Sequence, residues 1–487
     1  MFQLDHPYLL HQLAYINGEW VGAVKGEVLS IHNPSDQSYI GSIPSMGRVE
    51  TEQAISVAYA AWKPWREKSP WERSKILYRW YELILENLED LAKILTAEQG
   101  KPLPDARSEI QYGASFVEWF AAEAKRINGD IIAAPRALQR IMVLKQPIGV
   151  IGAITPWNFP NAMVTRKCAP ALAAGCTVVI KPSELTTFSA LALADLAGQA
   201  GIPAGVFNVV TGNPEDIGRE LTRNPLVRKI DFTGSTRVGK LLMQQSAETV
   251  KKLSLELGGN APFIVFEDAD LEAAVQGALT SKFRNSGQAC TCSNRFLIHT
   301  SLYERFAEKM IEAVKNLKLG DGFEPGAQQG PLINLAAVKK VEGLIADACA
   351  QGAEIRCGGQ RHILGENFFQ PTVITEMNAS MRMAKEEIFG PVAALYRFET
   401  EEEAIEMANA TNYGLACYLF SRDINRVWRV SEQLEYGMVA VNSGFFASEA
   451  LPFGGIKESG MGREGSKYGI DEFLEMKSIA IDLSLRV

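Results

Sequence analysis

Apolar and polar positions along this chain follow two different periods. In "ERSKILYRWYELILENLEDLAKILTAEQG" (72–100) apolar residues recur at helical spacing, so the segment before residue 130 includes amphipathic helices. The pattern changes at "ALQRIMVLKQPIGVIGAI" (137–154), which is β-rich. Its first part alternates like an exposed hairpin arm, a candidate for pairing with another subunit. From 148 to 257 short apolar runs ("IGVIGAI", "TVVIK", "GVFNVV", "KIDF", "LSLEL") are separated by helical segments such as "SALALADLAGQAGI" and "PEDIGRELTR". Short apolar strands alternating with helices predict a parallel sheet covered on both faces. A second αβ series runs from "PFIVF" at 262 to "GMVAVN" at 437 and predicts a second domain. Its helix and loop at 270–294 carry two cysteines, Cys290 and Cys292. The fold class read from these periods is α/β.

Ligands of such sheets bind beyond the carboxyl ends of the strands. That selects Thr155–Asn158, Lys181–Glu184, Thr211–Gly212, Phe232–Gly239 and Glu256–Gly259. Composition narrows the choice of ligand. The chain has 487 residues and a net charge of -8, without the basic footprint that a nucleic-acid partner requires. The apolar run "APALAAGCTVVI" stops at Lys181, short of the roughly 18 residues a membrane span needs. The start, "MFQLDHPYLLHQLAYINGEW", lacks a basic segment followed by an apolar block, so no secretory leader is expected. The 7 cysteines are odd in number and scattered, which fits a reducing cytoplasm rather than a disulfide framework.

Several strand ends carry candidate chemistry. "FTGSTRVG" follows the strand "KIDF" and opens a helix, where Gly234 and Gly239 permit close backbone approach and free N–H groups attract phosphate. A plain glycine turn before a helix has the same spacing. In "KPSE", Lys181 and Glu184 could both hold a ribose, and a carboxylate there repels a 2′-phosphate, which favours NAD over NADP. Ser183 or Glu184 could equally cap a helix.

The C-x-C pair at 290–292 lacks the third and fourth ligands of a zinc site, and none of the 5 histidines falls in a strand-end segment. No metal is expected, and a Cys–His hydrolase lacks its base. Buried packing is open to either cysteine. The polar, glycine-containing "NSGQACTCSNR" favours a functional thiol instead. Glu256 in "LELGG" could be a partly desolvated base, or a plain strand end. Asn158 in "TPWNFP" could donate to an oxyanion, or hold a turn. A thiol, a carboxylate, an amide donor and a nicotinamide together suit aldehyde oxidation through a thiohemiacetal and a thioester.

The motifs "INGEW", "TPWNFP", "KPSE", "GVFNVVTG", "FTGSTRVG", "LELGGNAP", "GQACTC", "EEIFGP" and "PFGGIKESGMGREG", in this order, resemble the aldehyde dehydrogenase family over essentially the whole chain. The resemblance implies a Rossmann-like cofactor domain (1–127 and 148–258), an α/β catalytic domain (259–464) and a small β oligomerisation arm (128–147 and 465–487). It makes Cys290 the nucleophile, Glu256 the base and Asn158 the oxyanion donor. Trp157, Lys181, Pro182, Ser183 and Glu184 match cofactor contacts, as do Gly234, Ser235, Gly239 and Leu257. Glu387 and Phe389 in "EEIFGP" match contacts to the nicotinamide half. Glu256 also implies hydrolysis to the free acid rather than acyl transfer to coenzyme A.

Within the family the likeness is to the branch acting on succinate semialdehyde, which binds a distal carboxylate with two arginines and a serine. Arg166 and Arg284 match; Ser448, beside Ala447 in "GFFASEALPFGG", is the candidate serine. Either arginine could instead sit in a structural ion pair. Some bacterial members that prefer NADP carry serine where Glu184 stands, so NAD is the expected cofactor, with NADP possible. Cys292 matches a second thiol of this branch, and a strained, easily reduced bridge to Cys290 would switch the enzyme off under oxidation. The expected partners are a small aldehyde with a distal carboxylate and further copies of the chain, as homodimer or homotetramer. Rival readings are a dehydrogenase of glutarate semialdehyde or another ω-oxo acid, a cofactor-independent thiol esterase, and a non-catalytic structural protein on the same fold.

Overall fold

The computed structural model describes residues 2–446 and 448–484. Two parallel-rich sheets form its frame, the architecture that the alternating runs predict. The first sheet has eight strands in the order Glu19–Val21, Ala14–Ile16, Phe207–Val209, Thr177–Lys181, Val150–Ile154, Val227–Thr233, Lys252–Glu256, Gly460–Met461. Its middle five strands are mutually parallel, and antiparallel pieces close both edges. After the edge pair Ala14–Ile16 and Glu19–Val21, the parallel series begins at the central strand Val150–Ile154, builds outwards to Phe207–Val209, then returns to Val227–Thr233 on the other side. That reversal opens a crevice between the carboxyl ends of Val150–Ile154 and Val227–Thr233.

The second sheet has seven strands, ordered Glu354–Cys357, Thr372–Thr375, Val392–Phe398, Ser293–His299, Ala261–Val265, Ala416–Phe420, Met438–Val441. All its pairs are parallel except the first. Residues 257–260 cross from one sheet to the other, leaving Lys252–Glu256 and entering Ala261–Val265.

Local chemistry sets the helix ends. Helix Pro70–Glu86 starts on a capping box, Ser69 Oγ accepting the Glu72 N–H while the Glu72 carboxylate accepts the Ser69 N–H. The long apolar pattern at 72–100 is two helices, Pro70–Glu86 and Leu88–Gln99, with Asn87 ending one and starting the next. Helix Pro214–Arg223 carries proline at its first position and Asn213 as cap. The alternating segment forms strand Gln139–Pro147, whose longest pairing is with the chain's own Leu474–Asp482; Asp130–Ile132 lies on its other edge. Ile131, Ile132, Leu138 and Met476 of this arm are exposed. No described helix is long and apolar enough to cross a membrane.

Candidate active site

A cavity of about 530 Å³ lies where the two sheets meet. From the first sheet it takes the crevice loops: Trp157 and Asn158 beyond Ile154, Gly234 and Ser235 beyond Thr233, and Glu256 with Leu257 at the end of their strand. From the second sheet it takes residues just before strand starts: Cys290 ahead of Ser293–His299, and Glu387 with Phe389 ahead of Val392–Phe398. Arg166 and Arg284 line it as well.

The cysteine loop is held in unusual backbone. Asn285, Ser286 and Gly287 all have positive φ, 50°, 55° and 76°. For the two non-glycine residues the left-handed region costs roughly 1–2 kcal/mol each. A Cβ on Gly287 would stand 2.2 Å from the Gly390 carbonyl oxygen, so glycine is obligatory there. Likewise a Cβ on Gly259 would lie 2.3 Å from the Cys290 carbonyl oxygen, so the inter-sheet crossing and the cysteine loop touch backbone to backbone. The Gln288 side chain ties the loop to Asn285, Pro331 and Ile333.

Burial pushes the Cys290 thiol up to about 12, reinforced by Glu387. The Glu256 carboxyl is 3% exposed, both its oxygens lack hydrogen-bond partners, and burial with nearby Glu464 raises it well above the ordinary carboxylate range. Burial thus disfavours the charged form of both groups. Asn158 donates Nδ2–H to the Gln288 carbonyl at 2.9 Å, which leaves its second amide hydrogen uncommitted.

The residues around Gly234 fit a dinucleotide. Ser235 caps the eleven-residue helix Thr236–Ser246, and Thr233 Oγ1, on the cavity wall, is buried without a partner. Trp157 and Phe389 meet edge to face at 5.5 Å, and Phe389 holds a positive φ of 55°. Glu387 accepts the Gly259 N–H at 3.0 Å, and burial raises its carboxyl to about 7. Lys181, Pro182, Ser183 and Glu184 follow the neighbouring strand and do not line this cavity. Lys181 Nζ donates to Glu184 Oε2 at 2.6 Å; against the effect of burial it holds Glu184 below the usual range. Ser183 Oγ accepts the Leu185 N–H at 3.2 Å in a local turn; neither it nor Glu184 caps a helix, since the next helix, Phe188–Gln199, starts from Thr187. Gly239 also lies off the cavity; a Cβ there would be 2.4 Å from the Leu257 side chain, so it serves close helix-to-strand packing.

The three residues matched to a substrate carboxylate differ sharply. Arg166 is 3% exposed, its Nη2 2.6 Å from Glu464 Oε2 without hydrogen-bond geometry, and its guanidinium lies 4.1 Å from the Phe453 ring centroid. Glu464 is shared with Lys167, which also binds Asp231 at 2.7 Å. Arg166 thus has the ion-pair partner that was its alternative reading. Arg284 is half-buried between the Phe159 and Phe445 rings and pairs with no carboxylate among the described residues. Ser448 does not line the cavity, and its hydroxyl accepts the Ala450 N–H at 3.1 Å. Ala447 lies outside the described residues.

Cys292 is 8% exposed and unbridged, and burial raises its thiol. The sequence reading missed Lys101, Glu109, Tyr112 and Lys340, all on the cavity wall. They belong to helices and turns far from any strand end, so no positional rule pointed to them. Among the described residues no group of side chains is placed to hold a metal.

A family model described as the aldehyde dehydrogenase family matches residues 20–479. The chain is 58% identical over 481 residues to the 3-sulfolactaldehyde dehydrogenase of Pseudomonas putida, covering 99% of each. It is 56% identical to the succinate-semialdehyde dehydrogenase [NADP(+)] of Escherichia coli K12, covering 99% of this chain and 100% of that one. It superposes with a TM-score of 0.98 on the crystal structure of succinate-semialdehyde dehydrogenase from Burkholderia pseudomallei, at 57% identity, covering 99% and 100% of the two chains.

Proposed function

Because this chain belongs to the aldehyde dehydrogenase family and is an NAD(P)-dependent oxidoreductase of aldehydes, we propose that its substrate is succinate semialdehyde, oxidised to succinate. The observation that carries this reading is Arg284, a cation without an ion-pair partner among the described residues, on the wall that also holds Cys290. Its field reaches the buried Asp105 carboxyl without forming an ion pair. A guanidinium left free in an aromatic-lined cavity suits a carboxylate on the far end of a short aldehyde.

The residues act in sequence. Cys290 Sγ bonds to the carbonyl carbon as its proton passes to the Glu256 carboxylate. The carbonyl oxygen becomes an oxyanion, held by the uncommitted Asn158 amide hydrogen and the Cys290 N–H. A bound nicotinamide supplies the hydride acceptor, and the acyl group stays on sulfur as a thioester. Glu256 releases the thiol proton to solvent and then takes a proton from water, the hydroxide adds to the thioester carbon, and the carbon–sulfur bond breaks as Glu256 passes that proton to the departing sulfur, returning the thiol and the carboxylate. Trp157, Gly234, Ser235, Leu257, Glu387 and Phe389 would hold the cofactor along the cavity, with Lys181 and Glu184 at the adjacent strand end. A paired carboxylate at 184 supports NAD over NADP. We read the exposed β arm as the surface that joins copies into a dimer or tetramer.

The likeness to a 3-sulfolactaldehyde dehydrogenase favours one second reading, an aldehyde bearing a sulfonate, which the same arginine would bind. Initial rates of NAD reduction with succinate semialdehyde, glutarate semialdehyde, 3-sulfolactaldehyde and butanal decide between them. Succinate semialdehyde is expected to give the highest kcat/KM, with butanal lower by about tenfold or more, the value of one charge-assisted contact. Butanal at parity removes the anion reading; sulfolactaldehyde in first place replaces the carboxylate by a sulfonate.

A further inference from the structure

The steps above leave a buried ion pair unused. Lys101 follows Gly100 in the turn between helices Leu88–Gln99 and Leu103–Glu123. Its ammonium is 2.5 Å from Glu109 Oε2, and both side chains are 1% exposed. The same ammonium donates to the main-chain carbonyl of Asn158 at 2.8 Å and lies 4.0 Å from the Phe159 ring centroid. The other Glu109 oxygen accepts the N–H groups of Asn161 and Ala162, at 3.0 and 3.2 Å. One ion pair therefore grips the 158–162 segment at both ends, the cation on a carbonyl and the carboxylate on two N–H groups.

The cysteine loop completes the hold. Asn285 Nδ2 donates to the same Asn158 carbonyl at 3.0 Å, and Asn158 Nδ2 donates to the Gln288 carbonyl at 2.9 Å. A buried ion pair gains little net stability over an apolar pair, because desolvation offsets the attraction. Fold stability alone is thus a poor reason for placing two full charges here. Both spend their hydrogen bonds on the backbone that carries Asn158.

We propose that Lys101 and Glu109 are positioning residues for the oxyanion donor: together they fix the Asn158 backbone so that its second amide hydrogen faces the carbonyl oxygen of an aldehyde on Cys290. The proposal rests on the reading of Asn158 as that donor. Neither residue touches substrate; each acts through Asn158. A displacement of about 1 Å at such a donor costs on the order of 10²-fold in rate.

The test is a double-mutant cycle on the full-length enzyme, following NAD reduction with succinate semialdehyde and with butanal. Lys101→Met is expected to lower kcat by about 10²-fold with either aldehyde, leaving KM for aldehyde and cofactor nearly unchanged. In the Asn158→Ala background the same substitution is expected to change kcat little, because the group it positions is gone. Lys101→Met leaves Glu109 buried without its cation, so two further variants accompany it: Glu109→Gln, which leaves Lys101 as the unpaired charge instead, and the double replacement Lys101→Met/Glu109→Gln, which leaves neither. Both should repeat the loss and the non-additivity. An equal fold-loss in both backgrounds, or a loss carried by KM, overturns the proposal. If Asn158→Ala by itself leaves kcat intact, the oxyanion reading has failed first, and that result is separable from the other two.

Discussion

The two sheets bring opposite ends to one cavity. The first contributes the carboxyl ends of its strands, where Trp157, Asn158, Gly234 and Glu256 sit; the second contributes amino ends, where Cys290, Glu387 and Phe389 sit. The first arrangement follows from the topology of any doubly wound sheet. The second exists only because residues 257–260 cross between the sheets, with Gly259 in backbone contact with the cysteine loop. The difference divides the cavity: one sheet offers a generic ligand crevice, and the other brings the Cys290 thiol to it from a loop with three consecutive positive-φ residues.

The strongest test of that division removes the Cys290 thiol alone, the group proposed as nucleophile. Cys290→Ser should lower kcat by at least about 10³-fold, since a hydroxyl is a far weaker nucleophile than a thiolate. Mass spectrometry of the wild type during turnover should find the acyl adduct on residue 290. Serine at full rate, or an adduct elsewhere, would break the assignment of roles between the sheets.

Glu256→Gln tests the first sheet's share. Burial raises its carboxyl well above the ordinary carboxylate range, so the base form and the rate of thioester hydrolysis should both rise with pH through that raised range. The glutamine variant should turn over about 10²- to 10⁴-fold more slowly and should lose that rise with pH. A variant with an unchanged rate and an unchanged pH profile would place the base elsewhere.

Arg284→Leu probes specificity. It should cost succinate semialdehyde about 1.5–3 kcal/mol in kcat/KM and leave butanal nearly untouched. Arg166, already opposed by Glu464, should show a smaller distinction between the two aldehydes when replaced by lysine. Equal harm to both substrates from Arg284→Leu would remove the carboxylate-binding role.

Two smaller effects lie off the cavity. Glu184→Ser removes the carboxylate paired with Lys181 and should move the NAD:NADP preference by about tenfold towards NADP, the scale of one hydrogen bond to a charged group. Cys292→Ala should leave basal turnover unchanged while slowing peroxide inactivation that a thiol reverses, if Cys292 captures an oxidised Cys290 as a disulfide. Inactivation at the wild-type rate, equally recovered by thiol, would leave Cys292 a packing residue.

Periodicity alone placed the five parallel strands of the first sheet to within a residue or two, because a two-sided parallel sheet demands unbroken apolar runs whatever it binds; its three antiparallel edge strands were not read from the pattern. The strand-end rule then reached Asn158, Gly234 and Glu256 without any tertiary information. It could not reach Ser448, whose loop position depends on packing and which the fold leaves off the cavity wall. Nor could it find the second end of the Lys101–Glu109 pair, since the carbonyl and N–H groups they bind are 57 and 52 residues away along the chain.

The linear pattern thus determined the α/β class, the location of the ligand crevice and the types of group available for chemistry, because secondary structure and strand-end position follow from local periodicity. Which charges are free and which are spent was decided only in three dimensions. Arg166 and Arg284 look equivalent on paper, yet one faces Glu464 and the other faces open cavity. Ion pairing depends on distance through space, and no spacing along the chain encodes it.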